Sequence, residues 1–375
     1  MLAYAVNVVG ARFLGPAGYS VLGALLAVLL IGSVVGQAVQ AVVARRIALG
    51  GDVGDLEHLG TRTVVIVAVV AIALTPVLAW VLHLPLLPLL LVALTTAPLT
   101  LIGIGQGVTQ GERRFGVLAG QYAVAALLRA GATLAVLVAH GDVTSVMLAG
   151  LVGGLLGAVV VARMAGVPLL GFGAVDRPLA VETARAAHAL VAMFVFTSID
   201  VLLARALLEP GEAGRYAAGT IITKVAFWLP QAVTVAVFPS LAASGGRGLR
   251  AALALVAGLG GAVVVGAWVA GGWAVPLLLG GSYDVVAQSA AVFALAGTMQ
   301  SIAYLVLYDR LAADDPRAAL LVWGGVALLG VLVATVGRSA GTPVAVSWCV
   351  VVSAAALAVA GGWLRSRTRA TQPAA

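Results

Sequence analysis

Long apolar runs separated by short polar breaks dominate this chain. Most runs contain about 20 residues, the length that an α-helix needs to cross a hydrocarbon core of roughly 30 Å. The pattern predicts twelve helical segments, numbered here in chain order, near 2–14, 20–44, 62–82, 86–109, 116–139, 144–165, 183–208, 214–241, 250–279, 285–308, 317–337 and 343–364.

The composition supports this interpretation. Hydrophobic residues make up 62% of the chain and charged residues 9%, with a mean hydropathy of +1.13, whereas soluble domains hold about 25% charged residues. No soluble globule has enough interior to bury so much apolar surface. The sequence therefore predicts an all-α polytopic membrane protein, and its single cysteine, Cys349, excludes an intrachain disulfide.

Segment 1 is shorter than the others. A helix over 2–14 would measure about 21 Å, too short to cross the hydrocarbon core. No basic stretch precedes it, so it does not have the form of a cleavable signal peptide. We expect segment 1 to be truncated, with the natural start of the protein upstream of Met1.

Arginines are distributed unequally between the two sets of loops, and cytoplasmic loops carry an excess of positive charge. We expect a bacterial inner-membrane protein with a cytoplasmic C-terminus. The richer set contains Arg45, Arg46, Arg62, Arg113, Arg114, Arg163, Arg177, Arg185, Arg247, Arg250, Arg310, Arg317, Arg365, Arg367 and Arg369, and the opposite set contains Arg12, Arg205, Arg215 and Arg338.

An internal repeat divides the chain. NVVGARFLGPAGY, from Asn7, aligns with DVLLARALLEPGEAGRY, from Asp200, and QAVQAVVARRIA, from Gln37, matches QAVTVAVFPSLA, from Gln231. Six segments used twice give parallel repeats, whose substrate sites lie at the repeat interface near the middle of the membrane. The predicted domains are a six-helix lobe over 1–165, a cytoplasmic linker over 166–182, a second six-helix lobe over 183–365 and a cytoplasmic tail over 366–375.

Three charged residues remain within the predicted segments: Arg129, Asp200 and Lys224. A charge at the centre of a membrane helix costs roughly 2.5–3.5 kcal/mol and usually faces protein or water. The short turn between segments 7 and 8 places Asp200 and Lys224 at similar depth, where they could pair. They either border a hydrated cleft with an ion-coupling role or form a satisfied pair that fixes helix register.

Polar side chains follow one face of segments 2 and 8. Gln37 and Gln40 share a face of segment 2, and Lys224 and Gln231 share a face of segment 8. The repeat superposes Gln37 on Gln231, so the two stripes are expected to line a central cleft. The alternative is that these amides form hydrogen bonds between helices.

Motifs that carry enzymatic chemistry are absent from the sequence, including P-loop, HExxH, CxxC and nucleophile-elbow patterns. The acidic loop over 50–60, with Asp52 and His58, is interpreted as a solvated cytoplasmic loop. The alternative is a membrane-embedded glycosyl- or acyltransferase, which needs a catalytic cluster of histidine and carboxylate side chains that only this loop could supply. We expect no enzymatic activity, no cofactor, no metal and no nucleic-acid partner.

The stretches ARFLGPAGY and SIDVLLARALLEPGEAGRYAAGTIITKVAFWLPQAVTVAVFPSLA resemble the oligosaccharide and polysaccharide flippases of the multidrug/oligosaccharidyl-lipid/polysaccharide (MOP) exporter superfamily. The resemblance implies two six-helix lobes in a V around a central cavity, and alternating access that moves a lipid-linked glycan. It places Arg12 in the family's helix 1 motif and Asp200 and Arg205 in its helix 7 motif. Some relatives bind sodium through acids of helices 7 and 11, but 320–336 contains no carboxylate.

A lipid-linked glycan carries a diphosphate, which guanidinium groups bind through paired hydrogen bonds. The expected substrate-binding residues are Arg12, Arg129, Lys224 and Arg205 for the diphosphate and Gln37, Gln40 and Gln231 for sugar hydroxyls. Expected partners are membrane lipids and a glycan polymerase or glycosyltransferases of the same pathway. The alternative is a cation-coupled multidrug exporter, which needs an acid often found in the first lobe, where every acid lies in a loop.

Overall fold

The computed structural model describes residues 2–51, 53–168, 177–242, 248–312 and 317–370, and all regular secondary structure in these ranges is helical. The α-helices are α1 (Leu2–Ala48), α2 (Val53–Leu82), α3 (Leu86–Gly111), α4 (Phe115–Ala126), α5 (Ala132–Val138), α6 (Val143–Ala165), α7 (Arg177–Phe196), α8 (Ile199–Leu207), α9 (Pro210–Ala242), α10 (Gly248–Leu279), α11 (Asp284–Gln288), α12 (Ala290–Ala312), α13 (Arg317–Leu332), α14 (Arg338–Ala340) and α15 (Pro343–Ala370).

The protein is an all-α polytopic membrane protein. Nine helices of the described residues are long and apolar enough to span a membrane, and ten if the bent pair α7–α8 is one span. Large apolar side chains are exposed along these helices, including Trp80, Trp268 and Trp273. Such surface would be unfavourable in water and suits a hydrocarbon environment. Dividing α1 at its internal break and adding α9 to the ten spans gives the twelve predicted segments.

The break in α1 separates predicted segments 1 and 2. Gly15 has φ 64° and ψ 176°, a conformation that interrupts the helix, and Pro16 begins the next helical stretch. Glycine adopts this positive φ without steric cost, and proline is favoured at the first position of a helix, where its missing N–H has no intrahelical partner. Gly15-Pro16 therefore predicts and produces the boundary between the two segments.

Two five-residue π-helical turns widen the backbone in the interior of otherwise continuous spans. Leu127–Gly131 joins α4 to α5, and Val333–Gly337 joins α13 to α14. These turns fall in predicted segments 5 and 11, which are equivalent in the repeat. π-turns of this length are rare and are frequently found at functional sites.

The chain divides into two compact units. The first consists of Met1–Phe13 and Ala24–Phe194, and the second of Leu14–Gly23 and Val195–Ala375. The division falls between Phe194 and Val195, near the break between α7 and α8. Residues 169–176 of the predicted linker over 166–182 lie outside the described residues, so the predicted domain limits remain a prediction.

In the first unit, close contacts between helices depend on glycine. A Cβ on Gly103 of α3 would lie 2.2 Å from the carbonyl oxygen of Gly36 in α1, and a Cβ on Gly153 of α6 would lie 2.3 Å from that of Leu128. Both glycines therefore allow neighbouring helices to approach closely. The glycines of α3 do not interrupt that helix, which runs unbroken to Gly111.

Helix α6 of this unit begins where a side chain caps it. The carboxylate of Asp142 accepts a hydrogen bond from the Ser145 backbone N–H at 3.1 Å. This bond and a second one from the Ser145 hydroxyl lower the pKa of Asp142. A capping carboxylate also interacts favourably with the N-terminal end of the helix dipole.

In the second unit, α12 packs against α9, α10 and α15. A Cβ on Gly297 of α12 would lie 2.0 Å from the carbonyl oxygen of Thr223 in α9. Gly103 and Gly297 are separated by the same interval as Gln37 and Gln231. The repeat therefore preserves a glycine at the crossing of equivalent helix pairs.

The first turn of α9 packs against the break in α1, within the second unit. A Cβ on Gly214 would lie 1.7 Å from the carbonyl oxygen of Pro16, whereas a Cβ on Gly211, one turn earlier, would meet nothing within 4 Å. Gly214 is therefore required for this approach, and Gly211 is not.

We expect Gly214→Ala to lower the stability of the purified protein by about 1–3 kcal/mol or more, because the obstructing group is backbone and cannot rotate away. Gly211→Ala is the matched control, and it should leave stability unchanged or raise it slightly. Thermal unfolding in detergent, followed by tryptophan fluorescence, measures both variants. Equal unfolding temperatures for Gly214→Ala and the wild type would contradict the packing described here.

Candidate functional site

A break in the predicted seventh span forms the centre of the candidate site. Helix α7 ends at Phe196, α8 begins at Ile199, and the two axes are bent by 52°. Thr197 and Ser198 form the break and are buried. A break of this kind leaves carbonyl oxygens at the end of one helix and N–H groups at the start of the next without helical partners.

Lys224 of α9 satisfies the carbonyl side of the break. Its Nζ donates a hydrogen bond to the carbonyl oxygen of Thr197 at 2.9 Å and a second to the Ser198 hydroxyl at 3.2 Å. The C-terminal end of a helix carries a partial negative charge that a cation stabilises. The ammonium of Lys224 is therefore held at the break, next to the C-terminal end of α7.

Asp200 lies in the first turn of α8, where the partial positive charge of the helix N-terminus favours an anion. Only 2% of its surface is exposed. The hydroxyl of Tyr216, which is also buried, donates a hydrogen bond to Asp200 Oδ2 at 2.7 Å. The other carboxylate oxygen, Oδ1, is buried and has no hydrogen-bond partner among the residues that the structure describes.

The two charges were predicted to lie at similar depth and to be able to pair. Asp200 and Lys224 do lie close enough to interact electrostatically. Their hydrogen bonds, however, are made to the helix break and to Tyr216. The C-terminal end of α7 thus stabilises the charge of Lys224, and the N-terminal end of α8 stabilises that of Asp200. The ion-coupling role of Asp200 remains a prediction.

Thr197, Ser198 and Tyr216 belong to this site but were not predicted from the sequence. A threonine and a serine before an aspartate in an apolar run could have indicated the break. The repeat contained a further signal, because Tyr19 is aligned with Tyr216 and both tyrosines are fully buried.

Arg205 lies at the end of α8, and its Nη1 donates a hydrogen bond to the Ser20 hydroxyl at 2.8 Å. Both residues belong to the second unit. Arg12, its counterpart in the repeat, is exposed in the first part of α1. The substrate contacts predicted for the two arginines remain a prediction.

Arg129 lies in the π-turn between α4 and α5, within the span Phe115–Val138. By helical rise it is about 21 Å from one end of that span and about 14 Å from the other. Its backbone oxygen accepts a hydrogen bond from the Thr133 hydroxyl at 2.8 Å. Its half-buried guanidinium makes no hydrogen bond or ion pair within the described part of the chain.

The predicted amide stripe of segment 2 is part of a polar cluster in the first unit. Gln40 Nε2 donates hydrogen bonds to Gln110 Oε1 at 2.9 Å and to the Tyr122 hydroxyl at 2.8 Å. Gln37, one turn away, is exposed. Gln110 and Tyr122 were not predicted, and the side chain of Gln231 lies outside the described residues.

The structure brings Asp200 and Lys224 together with Tyr216 in the second unit, and Gln40 together with Gln110 and Tyr122 in the first. Among the residues that the structure describes, no group of three or more His, Cys, Asp and Glu side chains could hold a metal ion.

Arg310, predicted in a cytoplasmic loop, is instead 3% exposed at the end of α12, where its Nη1 donates a hydrogen bond to the Gly361 carbonyl oxygen at 2.9 Å.

Comparisons with known proteins give a fold but no sequence family. No protein-family model and no curated protein sequence matches the chain. The solved structures that resemble it include an inward-facing multidrug resistance MATE family transporter of the MOP superfamily, at a TM-score of 0.75 and 12% identity over 99% of this chain and 96% of that one.

A second similar structure is the lipid II flippase MurJ in an inward closed conformation, at a TM-score of 0.78 and 10% identity over 97% of this chain and 85% of that one. A third is a MATE transporter in complex with MaL6, at a TM-score of 0.64 and 13% identity over 99% of this chain and 93% of that one. At these identities the likeness concerns the fold. The chain is a multi-pass membrane protein with the fold shared by these transporters and this flippase.

The hydrogen bond from Tyr216 is the only one that reaches the Asp200 carboxylate from another side chain in the described part of the chain. We expect Tyr216→Phe to destabilise the protein by about 1–3 kcal/mol, because it leaves a buried carboxylate oxygen without its partner. Tyr304→Phe is the control, since the Tyr304 hydroxyl makes no hydrogen bond among the described residues. Equal effects of the two substitutions on thermal unfolding would refute this role of Tyr216.

Proposed function

We propose that the protein translocates a lipid-diphosphate-linked oligosaccharide, or a related polysaccharide precursor, across the bacterial inner membrane by alternating access. The fold is compatible with this function, since a lipid flippase and multidrug transporters both adopt it. We further propose a cytoplasmic C-terminus, a central cavity between the lobes, and a glycan polymerase or glycosyltransferases as partners.

The observation that carries the proposal is the guanidinium of Arg129. It lies well inside a membrane span, and within the described residues it has no acceptor for its five N–H groups. An ionisable residue within a membrane segment is by default a functional one. A guanidinium is weakly hydrated and binds phosphate oxygens in pairs, so an anionic diphosphate suits this position.

The polar cluster of the first unit supports a substrate that contains a glycan. Gln40, Gln110 and Tyr122 offer amide and hydroxyl groups that both donate and accept hydrogen bonds. Gln110 and Tyr122 are exposed, as is Gln37. Groups of this kind match the hydroxyls of a glycan, whereas a lipophilic cation would use an apolar lining or a carboxylate.

The cations predicted to bind the diphosphate contribute unequally in this proposal. Arg129 is available for an anion as the structure stands, and Arg205 is half-buried beside Ser20. Lys224 donates to Thr197 and Ser198, so its contact with substrate requires those bonds to be exchanged. Arg129 is therefore the primary headgroup residue of the proposal.

A cation-coupled multidrug exporter is the second candidate, because MATE transporters share the fold. Such a protein needs a carboxylate that binds a proton or a sodium ion, often in the first lobe. The acids of the first half are Asp52, Asp55, Glu57, Glu112, Asp142 and Asp176. Of the two whose side chains the structure describes, Glu112 follows α3 and Asp142 caps α6, both outside the spans. The charge distribution therefore favours an anionic substrate.

We expect Arg129→Gln to weaken the binding of a polyprenyl diphosphate to the purified protein about 10–100-fold. A charge-assisted hydrogen bond contributes about 1.5–3 kcal/mol, and each 1.4 kcal/mol corresponds to a tenfold change in affinity. Quenching of tryptophan fluorescence measures this binding. Arg163→Gln, at the exposed end of α6, is the matched control and should bind as the wild type does.

A polyprenyl alcohol, which lacks the diphosphate, should bind weakly to the wild type and be insensitive to Arg129→Gln. Unchanged diphosphate affinity in Arg129→Gln would overturn the assignment of Arg129.

To test the second candidate, the multidrug exporter, cells that express the wild type or Asp200→Asn are loaded with a fluorescent lipophilic cation. Efflux that requires Asp200 would favour a drug exporter over the proposed flippase.

A further inference from the structure

The ammonium of Lys224 is hydrogen-bonded to two oxygen atoms of the helix break, and a buried carboxylate belongs to the same region. The Thr197 carbonyl and the Ser198 hydroxyl accept its hydrogen bonds at 2.9 and 3.2 Å. The carboxylate of Asp200, two residues beyond Ser198, interacts with it electrostatically. Thr197, Ser198 and Asp200 belong to one broken span, and Lys224 reaches them from α9 within the same second unit.

Carbonyl, hydroxyl and carboxylate oxygens are also the ligands of hard metal cations. In membrane transporters, carbonyl groups at the C-terminal end of a half-helix can hold a monovalent cation, and carbonyl rings replace the hydration shell of potassium in channels. The end of α7 provides this arrangement, but a lysine side chain fills it.

The charge balance of the pocket leaves no place for a second cation. Helix α8 contacts α9, α13, α15 and the π-turn Val333–Gly337. The last three contain no aspartate or glutamate, and α9 has only Glu212, in its first turn, which by helical rise is about 18 Å from Lys224. One carboxylate and one ammonium thus neutralise each other, and a further positive charge would be buried without a counter-ion.

One acceptor in the pocket remains unused. Within the described ranges, Asp200 Oδ1 is buried without a hydrogen-bond partner, and two of the three donors of the ammonium are used. Without the lysine side chain, the Thr197 carbonyl and the Ser198 hydroxyl would lose the ammonium that binds them, and the Asp200 carboxylate would lose the positive charge with which it interacts. Buried oxygens left in this way favour any small cation that can reach them.

We propose that Lys224 is a built-in, covalently attached monovalent cation, and that the α7–α8 break is a cation site which takes no metal ion while the lysine is present. Removing the ammonium converts the break into a binding site for sodium or potassium. This inference goes beyond the proposed function, because it holds whichever substrate the protein carries.

The test compares thermal unfolding of the purified protein in NaCl, KCl and choline chloride at equal ionic strength. The wild type should unfold at the same temperature in all three salts. Lys224→Ala should unfold at a lower temperature in choline chloride and recover as NaCl or KCl is added, with a shift that grows with the logarithm of cation concentration. The double variant Lys224→Ala with Asp200→Asn should lose this response.

Two results would overturn the proposal. One is a specific stabilisation of the wild type by sodium or potassium over choline, which would mean that the pocket binds a metal ion beside the lysine. The other is a Lys224→Ala protein that neither sodium nor potassium stabilises over choline. If Lys224→Ala is obtained folded only when NaCl or KCl is present during purification, the requirement itself supports the proposal, and failure in all three salts contradicts it.

Discussion

Backbone hydrogen bonding inside the membrane is the constraint on which this structure depends. No water is available in the hydrocarbon region, so each N–H and carbonyl group must find a partner within the protein. The break between α7 and α8 violates helical hydrogen bonding at Thr197 and Ser198. Lys224 donates to the carbonyl oxygen left at Thr197, and Asp200 places a negative charge in the first turn of α8, so each charge lies at the helix end whose partial charge is opposite to its own. The buried charges and the broken helix therefore require each other.

The repeat determines where such features occur. In both halves a proline begins a helix after a break, at Pro16 and Pro210, and a buried tyrosine follows it, at Tyr19 and Tyr216. Equivalent spans contain π-turns, and equivalent helix crossings contain glycine. The charges do not repeat: Asn7 replaces Asp200, and the π-turn of the second half has no counterpart of Arg129. The common framework is thus structural, and the differences mark the candidate functional residues.

Much of the fold and part of the site could be predicted from the sequence. Apolar run length identified the spans and separated segments 1 and 2, because this signal is local. Asp200, Lys224 and Arg129 were identified because buried charge is costly in a membrane. The partners of Lys224 could not be predicted, since a backbone carbonyl becomes an acceptor only where a helix breaks. Gln110 and Tyr122 escaped prediction because they reach Gln40 from other helices.

The mutual dependence of the two buried charges can be measured with a double-mutant cycle on unfolding free energy. Asp200→Leu and Lys224→Met replace each charge by an apolar side chain of similar size, singly and together, in choline chloride. Each single variant leaves one buried charge uncompensated, which typically costs about 3–5 kcal/mol. The account predicts that the double variant is destabilised by clearly less than the sum of the two single variants. Additive losses would contradict it.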